Sequence, residues 1–344
     1  MLLYLRSQVA DFANEGMGEV SGSLPLGPVL DFNTMKHFLL LLVLPYFLYA
    51  QEIAPSAERI RKHVDYLASD RMQGRGTGSR ENERAARYII KEFKKLDLLP
   101  LGTYGYRQPF TARVRRVVVP DSLRRANNIL GFLDNGAAYT IVIGAHFDHL
   151  GLGRQGSSKA PNPEGEIHNG ADDNASGVAG LLELARYYSQ NNLREPYNFL
   201  FIAFGAEELG LQGSRHFVNN PTLPLEKINF MTNMDMIGRY NPARGVGIGG
   251  YGTSDAWAEI FKDVHGEVKF FTDRAGSGGS DHGSFYAKGI PVLFFHTGGH
   301  DDYHTPTDDP DKIDTQAEAG ILAIQIKLIE KAMRLPKLNF TEVK

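Results

Sequence analysis

Between Ile141 and Asp173 an apolar run ends on Gly144-Ala145-His146-Phe147-Asp148-His149. A polar loop then closes on His168-Asn169-Gly170-Ala171-Asp172-Asp173-Asn174-Ala175-Ser176-Gly177. Residues two apart on an extended chain face the same way, so His146 and Asp148 present an imidazole and a carboxylate on one side of a strand end. More groups of the same two types follow at Glu207, Glu208, Asp235 and His304. Imidazole and carboxylate donors without thiolate suit a hydrolytic centre of two zinc ions, in which one carboxylate bridges both ions and a shared water becomes the nucleophile. The chain has no cysteine. That excludes thiolate catalysis, disulfides and cysteine-bound zinc.

Groups so far apart in sequence need a frame that brings them together. Helical periodicity marks Ser56–Leu67 and Ser79–Leu96, the second with apolar residues at Ala86, Ile89, Ile90, Phe93 and Leu96 and with Ser79 as N-cap. A glycine-rich loop, residues 70–78, joins them. Strands are expected at Val114–Val119, Asn128–Leu133, Ile141–Ala145, Phe199–Phe204, Ile228–Ile237 (interrupted by Asp235), Gly245–Gly249 and Ile290–Phe295. Helices are expected at Ala175–Tyr188, Leu209–Asn219, Ala256–Val264 and Ala317–Met333. Strands alternating with helices predict a three-layer α/β/α fold around a central, mostly parallel mixed sheet. Each polar cluster falls at or just after the end of an apolar strand, and open α/β sheets bind ligands at the carboxyl ends of their strands.

Composition narrows the classes further. A chain of 344 residues with 42% hydrophobic residues and a formal net charge of −3 is ordinary globular material, and it lacks the basic surplus of a nucleic-acid binder. Met35–Ala50 has a short basic start, an apolar core and a small residue before Gln51, the pattern of a cleaved signal peptide with a core too short for a stable membrane span. A signal peptide works from the start of a chain. Met35 is therefore the expected initiator, residues 1–34 a non-native upstream extension, and 51–344 a single domain that works as a monomer in a secreted or periplasmic setting.

Five motifs, taken together, resemble the secreted dinuclear zinc aminopeptidases, in the superfamily that also contains glutamate carboxypeptidase II and the glutaminyl cyclases. They are Gly144-Ala145-His146-Phe147-Asp148, Gly170-Ala171-Asp172-Asp173-Asn174-Ala175-Ser176-Gly177, Ala206-Glu207-Glu208-Leu209-Gly210, Asn233-Met234-Asp235-Met236 and Tyr303-His304-Thr305. The resemblance implies two zinc ions, with cobalt or manganese suited to the same donors, and peptide substrates with a free amino terminus. It makes Asp172 the bridging ligand, gives His146 and Asp235 to one ion and Glu208 and His304 to the other, and makes Glu207 the unligated general base. Asp148 would fix the His146 ring by accepting a hydrogen bond from its distal nitrogen, and Asp173 would support the turn. Ser280-Asp281-His282 resembles a motif near the substrate pocket, which points to His282 and, just upstream, Ser277. Several bacterial relatives carry a carbonyl-polarising tyrosine there, where this chain has Ser277-Gly278-Gly279.

Plainer readings are weighed beside these. Asp173 or Asn174 could simply cap the helix that follows. His149, His168 and His300 are of the kind that is more often structural than ligating. Of two Gly-x-Gly-x-x-Gly matches, 151–156 is followed by a polar loop and not a helix, which fails the context of a dinucleotide site, and is expected to form a wall of the active-site mouth; 247–252 precedes a helix but follows only a short, glycine-rich strand. A glutaminyl cyclase-type acyltransferase and a catalytically silent binding member are the rival functions.

Overall fold

Serine residues at two N-caps set the start of the fold. The Ser56 hydroxyl accepts the Arg59 amide and opens helix α1, Ala57–Leu67. Ser79 accepts the Asn82 amide at 3.0 Å and opens α2, Arg80–Lys95. In α2 the residues Ala85, Ala86, Ile89 and Phe93 recur at helical spacing and are buried. Glu81 and Glu83 in its first turn and Lys94 and Lys95 in its last complement the helix dipole.

The computed structural model describes residues 53–114, 123–155 and 157–343. Among these, the strands are β1 (Leu99–Pro100), β2 (Arg107–Arg113), β3 (Leu123–Leu133), β4 (Thr140–His146), β5 (Asn198–Phe204), β6 (Ile228–Met234), β7 (Val246–Gly249), β8 (Phe270–Thr272) and β9 (Val292–His296). The remaining helices are α3 (Gly177–Gln190), α4 (Gln212–Asn219), α5 (Trp257–Phe261), α6 (His282–Tyr286) and α7 (Thr315–Ala332). One sheet runs β1-β3-β5-β4-β6-β9-β7-β8, with β2 also paired to β3. Its middle, β5-β4-β6-β9, is parallel. The flanking pairs β3–β5 and β7–β9 are antiparallel.

Parallel strands covered on both faces must be apolar throughout, and β4, β5 and β6 are buried at every position. Alternation splits their side chains between two layers. Ile141, Ile143, Phe199, Phe201 and Ala203 pack with α1, α2, α3 and α7. Val142, Leu200, Ile202 and Phe204 pack with Phe217 of α4 and Phe285 of α6. The three-layer α/β/α architecture with a mixed central sheet is therefore present. The described residues belong to one compact unit, Ile53–Lys344, and none of their helices is long and apolar enough to cross a membrane. The upstream extension expected at 1–34, the signal segment expected at 35–50 and most of the strand expected at Val114–Val119 lie outside the described residues.

Some elements differ from expectation. The strand ahead of Asp235 ends at Met234, leaving Asp235 beyond the ladder. Strand β2 has an exposed-to-buried pattern that is irregular and includes Pro109, a composition that does not announce a strand. Its pairing with β3 along Arg107–Arg113 secures it instead. Substituting Ser79 by alanine removes the cap of α2 and should cost about 1 kcal/mol of stability, measured as a lower urea midpoint with an unchanged slope.

Candidate metal centre

The carboxyl ends of β4, β5, β6 and β9 lie side by side, and the polar groups collect there. His146 is the last residue of β4. The turn after β5 carries Glu207 and Glu208, Asp235 follows β6, and the loop after β9 carries His304. Several of these turns hold non-glycine residues in the left-handed region: Ala206 at φ 57°, Met236 at φ 59° and His304 at φ 60°. Such backbone is costly and persists where surrounding contacts over-determine it.

Two donor clusters share one aspartate, Asp173. In the first, His146 Nε2 stands 3.3 Å from Asp173 Oδ1 and 3.3 Å from Asp235 Oδ1. In the second, His304 Nε2 stands 3.1 Å from Asp173 Oδ2 and 3.2 Å from Glu208 Oε2. A tetrahedral zinc ion with bonds of about 2.0 Å spaces its ligands by about 3.3 Å, which these His-to-carboxylate distances match; donor atoms of His146, Asp173 and Asp235, and of His149, Asp173 and Glu208, lie close enough together to hold an ion. His149 also reaches the second cluster, but its Nδ1 is 2.7 Å from Glu208 Oε1 and 3.7 Å from Asp173 Oδ2. The first distance is a hydrogen bond, and we read His149 as the group that orients Glu208.

The shared carboxylate is thus Asp173, and the bridging position expected for Asp172 is corrected. Asp173 (φ −105°, ψ 90°) and Asn174 (φ −136°, ψ 48°) leave helical geometry, and along extended backbone neighbouring side chains point to opposite sides. Asp172 turns away from the donors. Its Oδ1 accepts the Gly238 amide at 2.7 Å and the Ser176 hydroxyl at 3.1 Å, and its Oδ2 is 3.1 Å from His300 Nε2. Asn174 is not the N-cap of α3, which is Ser176, but its Oδ1 accepts the Gly177 amide at 2.9 Å. The buried Asp308, unmarked by any motif, accepts the amides of both Asp172 and Asp173 at 3.0 Å and so holds the turn.

The two glutamates are driven apart in acidity. Burial pushes the Glu207 carboxyl well above its ordinary value, and Glu208, Asp235 and Asp281 add to this against the opposing effect of His146. Burial and Asp173 also act to raise Glu208, but His149 and His304 outweigh them and hold it below the ordinary value. Burial pulls His304 down, yet Asp173 and Glu208 carry it to about 10 when no ion competes for its nitrogen. A divergent pair of carboxyls separates proton carrier from anion.

Asp148 has a different task from the one expected. His146 Nδ1 bonds the backbone carbonyl of Asp148 at 3.1 Å, while the nearer contact of the Asp148 carboxylate with that ring is 4.0 Å. Asp148 Oδ1 instead accepts the Glu207 amide at 3.0 Å, and its Oδ2 accepts the Thr77 hydroxyl at 2.8 Å.

A cavity of about 310 Å³ opens over the donors, lined by Asp173, Glu207, Asp235 and His304 and walled by Met236, Phe294, His296 and Tyr303. Ser280 lines it, and the exposed Ser277 does not; Ser277 borders a separate depression beside Arg215 and Lys288. His282 lies behind the wall, its ring stacked on Phe294 at 4.2 Å, and burial takes its pKa down to about 4. Tyr303, one residue before His304, stands in the cavity wall, where Ser277 does not reach. Its phenol is kept neutral by burial and by Asp173, Glu208, Asp235 and Glu207. The loop after Gly151 braces His304 from behind, where Lys159 N donates to the His304 carbonyl at 2.9 Å and His304 Nδ1 is 2.9 Å from the Ser157 carbonyl. None of the described residues of that loop lines the cavity, so it does not form the expected wall.

Paired donor clusters of imidazole and carboxylate at the carboxyl edge of a parallel sheet suit a hydrolytic metal centre. The family model for peptidase family M28 matches residues 128–329, and the chain belongs to that family. It is 39% identical over 126 residues to leupeptin-inactivating enzyme 1 of Streptomyces exfoliatus, covering 36% of this chain and 28% of the relative. It is 34% identical over 156 residues to aminopeptidase YwaD of Bacillus subtilis, covering 42% and 33%. The matches thus span about a third or less of these relatives' length. An aminopeptidase from Aneurinibacillus sp. strain AM-1 superposes with TM-score 0.61 at 20% identity, over 85% of this chain and 97% of that one. A Porphyromonas gingivalis glutaminyl cyclase does so with TM-score 0.62 at 19% identity, over 80% and 98%.

The shared position of Asp173 can be separated from that of Asp172 by metal analysis of dialysed protein. Asp173→Ala should lose both ions, and Asp172→Ala should keep them while lowering the melting temperature.

Proposed function

We propose that this chain is a dinuclear zinc aminopeptidase that cleaves the amino-terminal peptide bond of its substrates. The observation that carries the reading is Asp173, with one oxygen against His146 and the other against His304, and with Glu207 at the cavity wall beside it. The residues proposed to hold the ions are His146, Asp173 and Asp235 for one and Asp173, Glu208 and His304 for the other. When bound, the ions would supply Lewis acidity to the scissile carbonyl and lower the pKa of a water.

The remaining work falls to side chains. Glu207, with its raised pKa, takes a proton from the attacking water and delivers it to the departing amine nitrogen. Asp148 fixes the Glu207 backbone through its amide. Tyr303 is a neutral donor at the cavity wall, able to bond the oxyanion that develops at the carbonyl. It supplies from the His304 loop what Ser277-Gly278-Gly279 cannot. Site carboxylates hold the substrate's α-amino group and so select a free amino terminus. Export is part of the same proposal and rests on the apolar segment 35–50.

Glu207→Gln should keep its zinc and lose at least ~100-fold in kcat, the lower range for lost acid–base catalysis. Stopped or continuous assays with metal analysis check both halves. A screen of aminoacyl amides beside amino-blocked peptides tests the substrate class. Release of free amino acid from the amides alone is expected. Cleavage of blocked peptides only, or about one zinc ion with cyclisation of glutaminyl peptides, would contradict the proposal.

A further inference from the structure

The loop 70–79 precedes the family-matched stretch and nonetheless reaches the centre of the site. Arg75 is 1% exposed. Its guanidinium donates to the carbonyls of Phe147 at 2.9 Å, Leu67 at 2.7 Å, Asn169 at 2.7 Å and Gly170 at 2.9 Å. It thereby ties the end of β4 to the turn that carries Asp173. Gly74 (φ 65°) passes so close to His168 that an added Cβ would lie 2.2 Å from its carbonyl oxygen. The Gly74 carbonyl accepts the Gly151 amide at 3.0 Å. These contacts deliver Thr77, buried at 3% exposure, to a fixed place beside Asp148.

We propose that Thr77 is a positioning residue for the catalytic base, acting through Asp148 on the backbone of Glu207. The Thr77 hydroxyl donates to Asp148 Oδ2 at 2.8 Å, and Asp148 Oδ1 accepts the Glu207 amide at 3.0 Å. The Asp148 carboxylate is wholly buried. A buried carboxylate that loses one of its donors is left with an unpaired oxygen and turns to find another. Glu207 stands in a turn after Ala206 (φ 57°), outside the β5 ladder. Its carbonyl accepts the Gly210 and Leu211 amides at 2.7 and 2.8 Å on one side, and Asp148 provides the bond to its amide on the other. Reaction rate is steeply sensitive to misplacement of a reacting group. The inference rests on Glu207 as general base.

The test is a double-mutant cycle between Thr77→Val and Glu207→Gln on the zinc-loaded enzyme, with Thr77→Ser as rescue. Thr77→Val keeps the side-chain shape and should lower kcat about 10-fold, as removal of an outer hydrogen-bond partner does, with KM and zinc content unchanged. Thr77→Ser should restore kcat. In the Glu207→Gln background Thr77→Val should cost nothing further, because its effect passes through the lost carboxylate. Thr77→Ala reads the same loss if the valine variant does not fold. Wild-type kcat in the hydroxyl-free variant, a serine variant as slow as the valine one, loss of zinc, or an undiminished cost in the glutamine background would each overturn the proposal. Wild-type turnover in Glu207→Gln alone would instead remove the base assignment and the proposal with it.

Discussion

Buried negative charge is the constraint on which this structure turns. Asp148, Asp173, Glu208, Asp235 and Asp308 are each buried or nearly so, with Glu207 beside them, at the ends of four neighbouring strands. Like charges about 4 Å apart repel by about 4 kcal/mol even at an effective dielectric of 20. Such a cluster persists only if cations and donors are supplied from all around it. The chain provides His146, His149 and His304 within the site and the backbone amides of Glu207, Asp172 and Asp173 at its edges. It also provides Arg75 beneath, whose pKa burial lowers to about 10 against the opposing pull of Asp173, Asp308, Asp148 and Glu208. Arg75 stays charged at neutral pH. In the proposed function, two divalent ions would supply the remaining positive charge.

The frame explains why the cluster forms where it does. Parallel strands align their carboxyl ends, so residues separated by many tens of positions meet with no local signal between them. The left-handed residues Ala206 and Met236 turn the chain sharply just past β5 and β6, and His304 does so further on in the loop after β9. The same fold serves a glutaminyl cyclase as well as an aminopeptidase, so the fold does not choose the reaction. The paired donor sets around Asp173, and the opposite shifts of Glu207 and Glu208, are what favour hydrolysis.

Much of this was legible in the order of residues. The buried strands β4, β5 and β6 declare themselves as apolar runs, and α2 by its spacing and its serine cap. Most donors declare themselves by type at strand ends. The choice between Asp172 and Asp173 was not legible from type or spacing, because it depends on two backbone dihedral pairs that reverse the side chains. Asp308, Thr77 and Arg75 were equally hidden. Each acts by hydrogen bonds across long sequence separations, and a lone aspartate, threonine or arginine carries no periodic mark. Asp148 could be located from its motif but not given its partner, since that partner comes from a loop whose approach is set by tertiary contacts.

The most direct measurement is anomalous diffraction at the zinc edge from crystals of the zinc-loaded protein. The account predicts two peaks on either side of Asp173, one in contact with His146 and Asp235 and the other with Glu208 and His304. A single peak, or a pair bridged by Asp172, would contradict it.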